Sequence, residues 1–290
     1  MDAKEKLRIY LEQRRDLGES ELFLDSLTVE DALRAIGAVG RGQPVEKADP
    51  RINPRNIPPS SDDWRSVLSQ PGAQPAQSEP VEATTTGIVA GGDSSELFDS
   101  DLMRLGSLEE IAAAVESCTR CALFKTATRG VPGAGNPNAD FMCVGEGPGA
   151  SEDEQGLPFV GAAGQLLTKI LAAVDLSRDD VFITNVVKHR PPGNRNPAPE
   201  EITACTPYLV RQLELIKPKV ILALGTFAAQ TLLTTKTPIG KLRGEVHRYH
   251  GIPVVVTYHP AALLRNPSWK RPTWEDVKLA RRILDSATGA

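Results

Sequence analysis

The sequence predicts an α/β fold: a three-layer α/β/α sandwich around a short central parallel sheet, preceded by a small helical segment and a disordered linker. Three observations carry this. The segments FMCVG (141–145), 181–187, VILAL (220–224) and 253–258 are short apolar runs rather than alternating ones, as strands buried on both faces are. Helical patterns alternate with them from residue 101 onward, the order of a layered α/β domain. Hydrophobic residues make up 40% and charged residues 24% of the 290, ordinary for a globular chain.

In chain order, residues 1–40 read as two short helices. The first, about 3–15, has Leu7 and Leu11 four apart; the second starts at Thr28 and stops at Gly37. Residues 41–100 are rich in Pro, Ser, Gly, Ala and Thr and lack sustained periodicity, the composition of a disordered linker. The first hundred residues are expected to act as a tether or to meet a protein partner. Residues 101–290 read as one α/β domain. Ser107 and Glu110 are spaced as a capping box for a helix ending near Cys118. Helices follow near 164–174, 199–216, 226–233 and 274–286. A polar hairpin-like segment at 246–249 precedes the last strand.

Net charge is −4, divided as −7 over residues 1–100 and +3 over the remainder, so a polyanionic partner is compatible with the second part. The N-terminus MDAKEKLRIYLEQRRD lacks the apolar core of a signal peptide, and no apolar run approaches the ~20 residues that span a bilayer. A cytoplasmic, monomeric protein is expected. Four cysteines are too few for a disulfide scaffold and point to metal, redox or packing roles.

Ligands of doubly wound folds sit outside the carboxyl ends of the strands. After the strand at 141–145 comes GEGPGASEDEQGLPFVG. Its Gly145-x-Gly147-x-x-Ala150 resembles a dinucleotide turn, which would make the protein a nucleotide-binding oxidoreductase. Pro148 inside the turn and the acids Glu152 and Asp153 argue against a pyrophosphate. Asn185 lies within the next strand near its carboxyl end; its carboxamide offers a donor and an acceptor, suited to an imide edge such as uracil's. His259 ends the last strand, where it can stabilise charge developing on a leaving group. Glu146, Asn185 and His259 thus stand at three strand ends, with Phe159 available to stack on a planar ligand. A second set is Cys118-x-x-Cys121, His189 and Cys205, open to zinc, redox or cluster roles. Cys143, inside a core strand, reads as a buried hydrophobe.

Together CTRC, GEGPGASEDEQGLPFVGAAGQLL, TNVVKHRPPGNRNPAPEE with Cys205, and HPAALLRNP resemble the family 4 uracil-DNA glycosylases, over about residues 107–287. The resemblance implies a three-layer α/β/α fold, a [4Fe–4S] cluster and excision of uracil from single- or double-stranded DNA. It places Phe159 on the uracil face, Asn185 on its imide edge, and the backbone of Glu146, Gly147 and Pro148 against the base. His259 would meet the departing oxyanion, and Glu146 or Glu152 would favour the cationic sugar or position water. Leu263, Leu264 and Arg265 are candidates for a wedge and a phosphate contact; Lys188, Arg190 and Arg195 can track the DNA backbone. The implied cluster ligands are Cys118, Cys121, His189 and Cys205. His189 stands where the family usually has cysteine, so either it ligates or three cysteines hold the cluster beside it. Some uracil-trapping relatives share VKH but carry a basic loop with a second histidine that bonds to the sugar. This chain continues RPPGNRNPAPEE, as excising enzymes do. A trapping module without turnover is the alternative.

Overall fold

A computed structural model describes residues 84–91 and 101–289. The helices expected in residues 1–40 and the linker up to residue 83 lie outside the described residues. Seven strands form one sheet: β1 (Val89–Ala90), β2 (Ala134–Gly135), β3 (Phe141–Gly145), β4 (Val181–Asn185), β5 (Val220–Leu224), β6 (Val246–Tyr249) and β7 (Ile252–Thr257). Their order is β1-β6-β7-β5-β3-β4-β2. The core strands β7, β5, β3 and β4 are parallel. The sheet departs from a purely parallel one at its margins, where β6 runs antiparallel to β7 and β2 antiparallel to β4.

Of the core strands, β3, β4 and β5 are buried along their length because both faces are covered. Successive side chains alternate. Phe141, Cys143, Ile183, Leu222 and Val255 face one way, against α3 (Ala162–Ala172) and α8 (Lys270–Thr288). Met142, Val144, Phe182, Ile221 and Val256 face the other, against α4 (Pro199–Ile216) and α5 (Thr226–Leu232). This is the expected three-layer sandwich. Cys143 lies on the first face, and burial pushes its thiol up to about 12. Among the described residues no helix is long and apolar enough to cross a membrane.

The capping expected at Ser107 is present: its Oγ accepts from the Glu110 amide at 3.2 Å, opening α1 (Leu108–Glu116). Ile111 and Val115 of α1 pack on Tyr208 of α4, which brings the Cys118–Cys121 turn beside that helix. In α4, Glu201 takes the Ala198 amide at 2.7 Å.

One segment assigned to the linker belongs to the sheet. Residues 84–91 lie along β6: Arg248 N–H donates to Ile88 O at 2.8 Å and His250 N–H to Ala90 O at 3.0 Å. Ile88 N–H donates to Nδ1 of the buried His247, whose Nε2 lies 2.7 Å from Leu242 O in α6 (Ile239–Leu242). The first bond makes Nδ1 the acceptor, so the proton sits on Nε2 and the imidazole rivets β1 to α6.

The connection after β3 packs on the first face and that after β5 on the second. The chain thus diverges above these neighbouring strands, the crevice where such folds place ligands. A cavity of about 440 Å³ lies elsewhere, between the end of α4 and the β6–β7 turn, lined by Val210, Leu213, Pro218 and Ile252. It opens at the amino ends of β5 and β7, whereas the candidate residues stand at the carboxyl ends.

Candidate active site

The β3 and β4 backbones stay zipped past their strand ends. Val186 N–H donates to Gly145 O at 2.9 Å, and Val187 N–H to Glu146 O at 3.1 Å. This sets Glu146 beside the turn that follows Asn185. Gly145 is required by crowding: a Cβ there would lie 2.6 Å from Phe159 Cζ and would collide with Asn185 Oδ1. The carboxamide and the aromatic edge therefore converge on one α-carbon. Asn185 is 1% exposed, and its Oδ1 lacks a hydrogen-bond partner. A buried acceptor left open costs about 1–3 kcal/mol, so a donor from a ligand is the economical explanation.

Phe159 is held in a left-handed conformation, φ 54°, which a bulky residue adopts only when its surroundings impose it. Arg178 donates to Phe159 O at 3.1 Å and to Pro158 O at 2.7 Å. Glu152, in α2 (Ala150–Gln155), accepts from the amides of Val160 and Gly161 at 2.8 and 2.9 Å with one oxygen. Those amides open α3, where a carboxylate is also favoured by the helix dipole. Glu152 thus holds the Phe159 loop, whereas Glu146 stands at the end of β3. Burial pushes Glu146 up to about 7. Glu152→Ala should lower stability by about 2–3 kcal/mol, the scale of two charge-assisted bonds, read as a fall in the urea midpoint.

The Phe159 and His259 rings lie 5.5 Å apart at 33°. His259 caps α7 (Pro260–Arg265): its Nδ1 accepts from the Ala261 amide at 3.1 Å. The neutral ring therefore carries its proton on Nε2, free to donate. Burial, with Arg265 adding to it and Glu152 opposing, pushes His259 down to about 4. Gly225 at φ 94° lets the backbone after β5 pass beneath this residue; a Cβ would sit 2.9 Å from His259 Cβ. Thr257 and Asp276 brace the same strand end, with Thr257 Oγ1 donating to Asp276 at 2.7 Å and Arg243 Nε donating at 2.6 Å.

The flanking residues divide. Gly147 packs against Val187, and Pro148 is buried in the turn. Leu264 is half exposed and Arg265 exposed, as a surface contact needs, whereas Leu263 is in the core. Lys188 is also removed from the surface: it is fully buried, and burial pushes it down to about 7 with Cys205 opposing. Arg195 forms a two-pronged pair with Glu201 at 2.8 and 2.6 Å, anchoring the start of α4. Arg190 bonds Asn194 at 2.7 Å.

Cys121 packs with Cys205, Cys118 lies beside Tyr208 of α4, and His189 is buried near Asp153 and near Glu116 at the end of α1. Cys205 donates to the Cys121 sulfur, drawing Cys121 down to about 6 and leaving Cys205 raised. The Lys188 amide also reaches Cys205, and the Tyr208 hydroxyl meets Cys118. His189 is 5% exposed, pushed down by burial and lifted by Asp153 and Glu116. Among the described residues no three metal-binding side chains converge closely enough to hold a single ion.

Sequence reasoning missed Arg178 and Gln212, and it noted Asp153 only as an acid of the loop, not as a brace. Asp153 accepts from the Thr128 amide at 2.8 Å and ties the 126–130 loop to α2. Its place in an acid-rich loop was the one visible signal; Arg178 and Gln212 had none.

The sequence pattern of the Uracil DNA glycosylase superfamily matches residues 132–278. A type-4 uracil-DNA glycosylase of Archaeoglobus fulgidus is 48% identical over 180 residues, 59% of this chain and 90% of that protein. One from Thermotoga maritima is 44% identical over 181 residues, 61% of this chain and 94% of that protein. A type-5 uracil-DNA glycosylase of Pyrobaculum aerophilum is 37% identical over 152 residues, 47% and 67% of the two chains. With Glu146, Asn185 and His259 at the strand ends its pattern spans, the chain belongs to the uracil-DNA glycosylase superfamily.

Proposed function

We propose that this protein excises uracil from DNA by hydrolysing the N-glycosidic bond, leaving an abasic site. The observation that carries the reading is the open Oδ1 of Asn185, buried beside Phe159 and within one pocket of His259. A flipped uracil stacked on Phe159 would give its N3–H to that oxygen and take the amide N–H on O4. Cytosine reverses both partners, so in this orientation it would leave two buried groups unpaired. As the glycosidic bond breaks, electrons pass to the base, and Nε2–H of His259 donates to the oxygen that becomes negative. A neutral imidazole can do this because its other nitrogen is already committed to the Ala261 amide. Glu146, when ionised, favours the cationic sugar or orients the attacking water. Leu264 fills the space left by the base, and Arg265 meets phosphate.

Turnover is favoured over trapping by the placement of all four histidines. His189 is buried near Asp153 and Glu116, His247 lies under β1, His250 in the β6–β7 turn, and His259 against Phe159. A second imidazole to bond the sugar is not at the site.

The donor set Cys118, Cys121, Cys205 and His189 fits a [4Fe–4S] cluster. Three sulfurs and one imidazole suit iron, and ligands of a cluster bind separate irons, so they need not converge on one point as zinc requires. When bound, the cluster supplies a covalent tie among the Cys118–Cys121 turn, the β4 end and α4.

A uracil-containing single-stranded oligonucleotide tests the reading. Many abasic products per protein molecule are expected. A stoichiometric covalent adduct would mean trapping, and untouched DNA would overturn both. Anaerobically purified protein should be brown; a colourless protein with one zinc would remove the cluster.

A further inference from the structure

Lys188 is 0% exposed, and its ammonium has three donors and three neutral acceptors: Thr184 Oγ1 at 2.7 Å, Asn185 O at 2.8 Å and Gln212 Oε1 at 2.8 Å. Gln212 Nε2 donates to Pro132 O at 2.6 Å, and Thr184 Oγ1 lies 3.0 Å from that same carbonyl. The result is a closed polar net under the pocket floor, joining the loop at Pro132, the end of β4 and the middle of α4. Burying a lysine among neutral groups is costly, and an apolar residue would fill the space at less expense to stability. What the net touches explains the choice. Through the Asn185 carbonyl it grips the backbone of the residue whose side chain faces the base. Through its own amide Lys188 also meets Cys205.

We infer that Lys188 is a positioning residue for base recognition: its net with Thr184 and Gln212 fixes the Asn185 backbone, and so the angle at which the carboxamide meets the flipped base. This rests on the base-reading role of Asn185. It acts through Asn185 and touches no substrate.

A double-mutant cycle on the metal-loaded protein tests this, with single-turnover excision from a uracil oligonucleotide and oligonucleotide affinity as readouts. Lys188→Met should slow excision about 30-fold while affinity changes less than about 3-fold, because the loss falls on the reacting geometry. In an Asn185→Ala background the same change should cost no more than about 3-fold, since the group it positions is gone. A full, multiplicative loss in that background would overturn the inference, as would a wild-type rate for Lys188→Met alone. A wild-type rate for Asn185→Ala would instead remove the base-reading role, and this inference with it. Should Lys188→Met lose its cooperative melt, Gln212→Met deletes one acceptor of the net away from the Cys/His set. It should show the same non-additivity, and additivity there is equally fatal.

Discussion

Replacing His259 with alanine should lower single-turnover excision of uracil by about 10²–10³-fold, equivalent to roughly 3–4 kcal/mol of lost stabilisation of the departing base. The imidazole is already neutral, oriented and proton-bearing at Nε2, so little reorganisation accompanies the reaction. The same geometry sets a pH signature. With His259 near 4, protonation would displace the Ala261 amide from Nδ1 only in strong acid, so this group contributes an acid limb near pH 4 and not near 6.5. Glu146, near 7, contributes the other limb: excision should rise as pH passes upward through about 7, because the carboxylate is the useful form. Glu146→Gln should erase the limb near 7 and keep the one near 4. A profile with a single limb at 6.5, lost in the His259 variant, would contradict the assignment.

Asp276→Ala should destabilise the fold by about 3–5 kcal/mol, read from urea unfolding of the purified protein. Asp276 is 3% exposed and accepts from both Arg243 and Thr257. Desolvation raises its pKa, so the carboxylate depends on these partners. Removing it leaves the Arg243 guanidinium, stacked over Tyr258 at 4.4 Å, largely buried without its anion. Because Thr257 and Tyr258 immediately precede His259, excision should fall beyond what unfolding explains. Arg243→Met with Asp276→Leu should recover stability more than activity, since matched apolar partners can replace a buried pair in packing but not in orienting a strand end.

How far the sequence discloses this fold depends on the range of the interactions involved. The strands 141–145 and 220–224 and the helix 199–216 have the bounds their patterns predict, because an apolar run between turn residues, or Pro at the first helical turn, is local information. The margins of the sheet are not local. Thr-Gly-Ile-Val-Ala at 86–90 is too short to announce a strand; Val89 and Ala90 become one because β6, far along the chain, offers an open edge. Charge is equally silent about burial. Lys188 and Arg190 flank His189 and look alike, yet one has Gln212 above it and is sealed in, while the other is partly exposed. The pocket was legible as residues at three strand ends. Its rigidity was not: Arg178 and Glu152 fix Phe159 through backbone groups, and backbone partners leave no trace in side-chain patterns.

The edge strand β1 also bears on where this protein begins as a folding unit. The superfamily pattern matches from residue 132, but the sheet is finished by residues 84–91. A chain cut at residue 101 would keep every pocket residue. It would also bare the hydrogen-bonding edge of β6 and empty the socket beneath His247, an invitation to sheet-to-sheet association. The family pattern and the completed sheet therefore draw this domain's border in different places, and the upstream segment acts as a built-in guard for an adhesive seam.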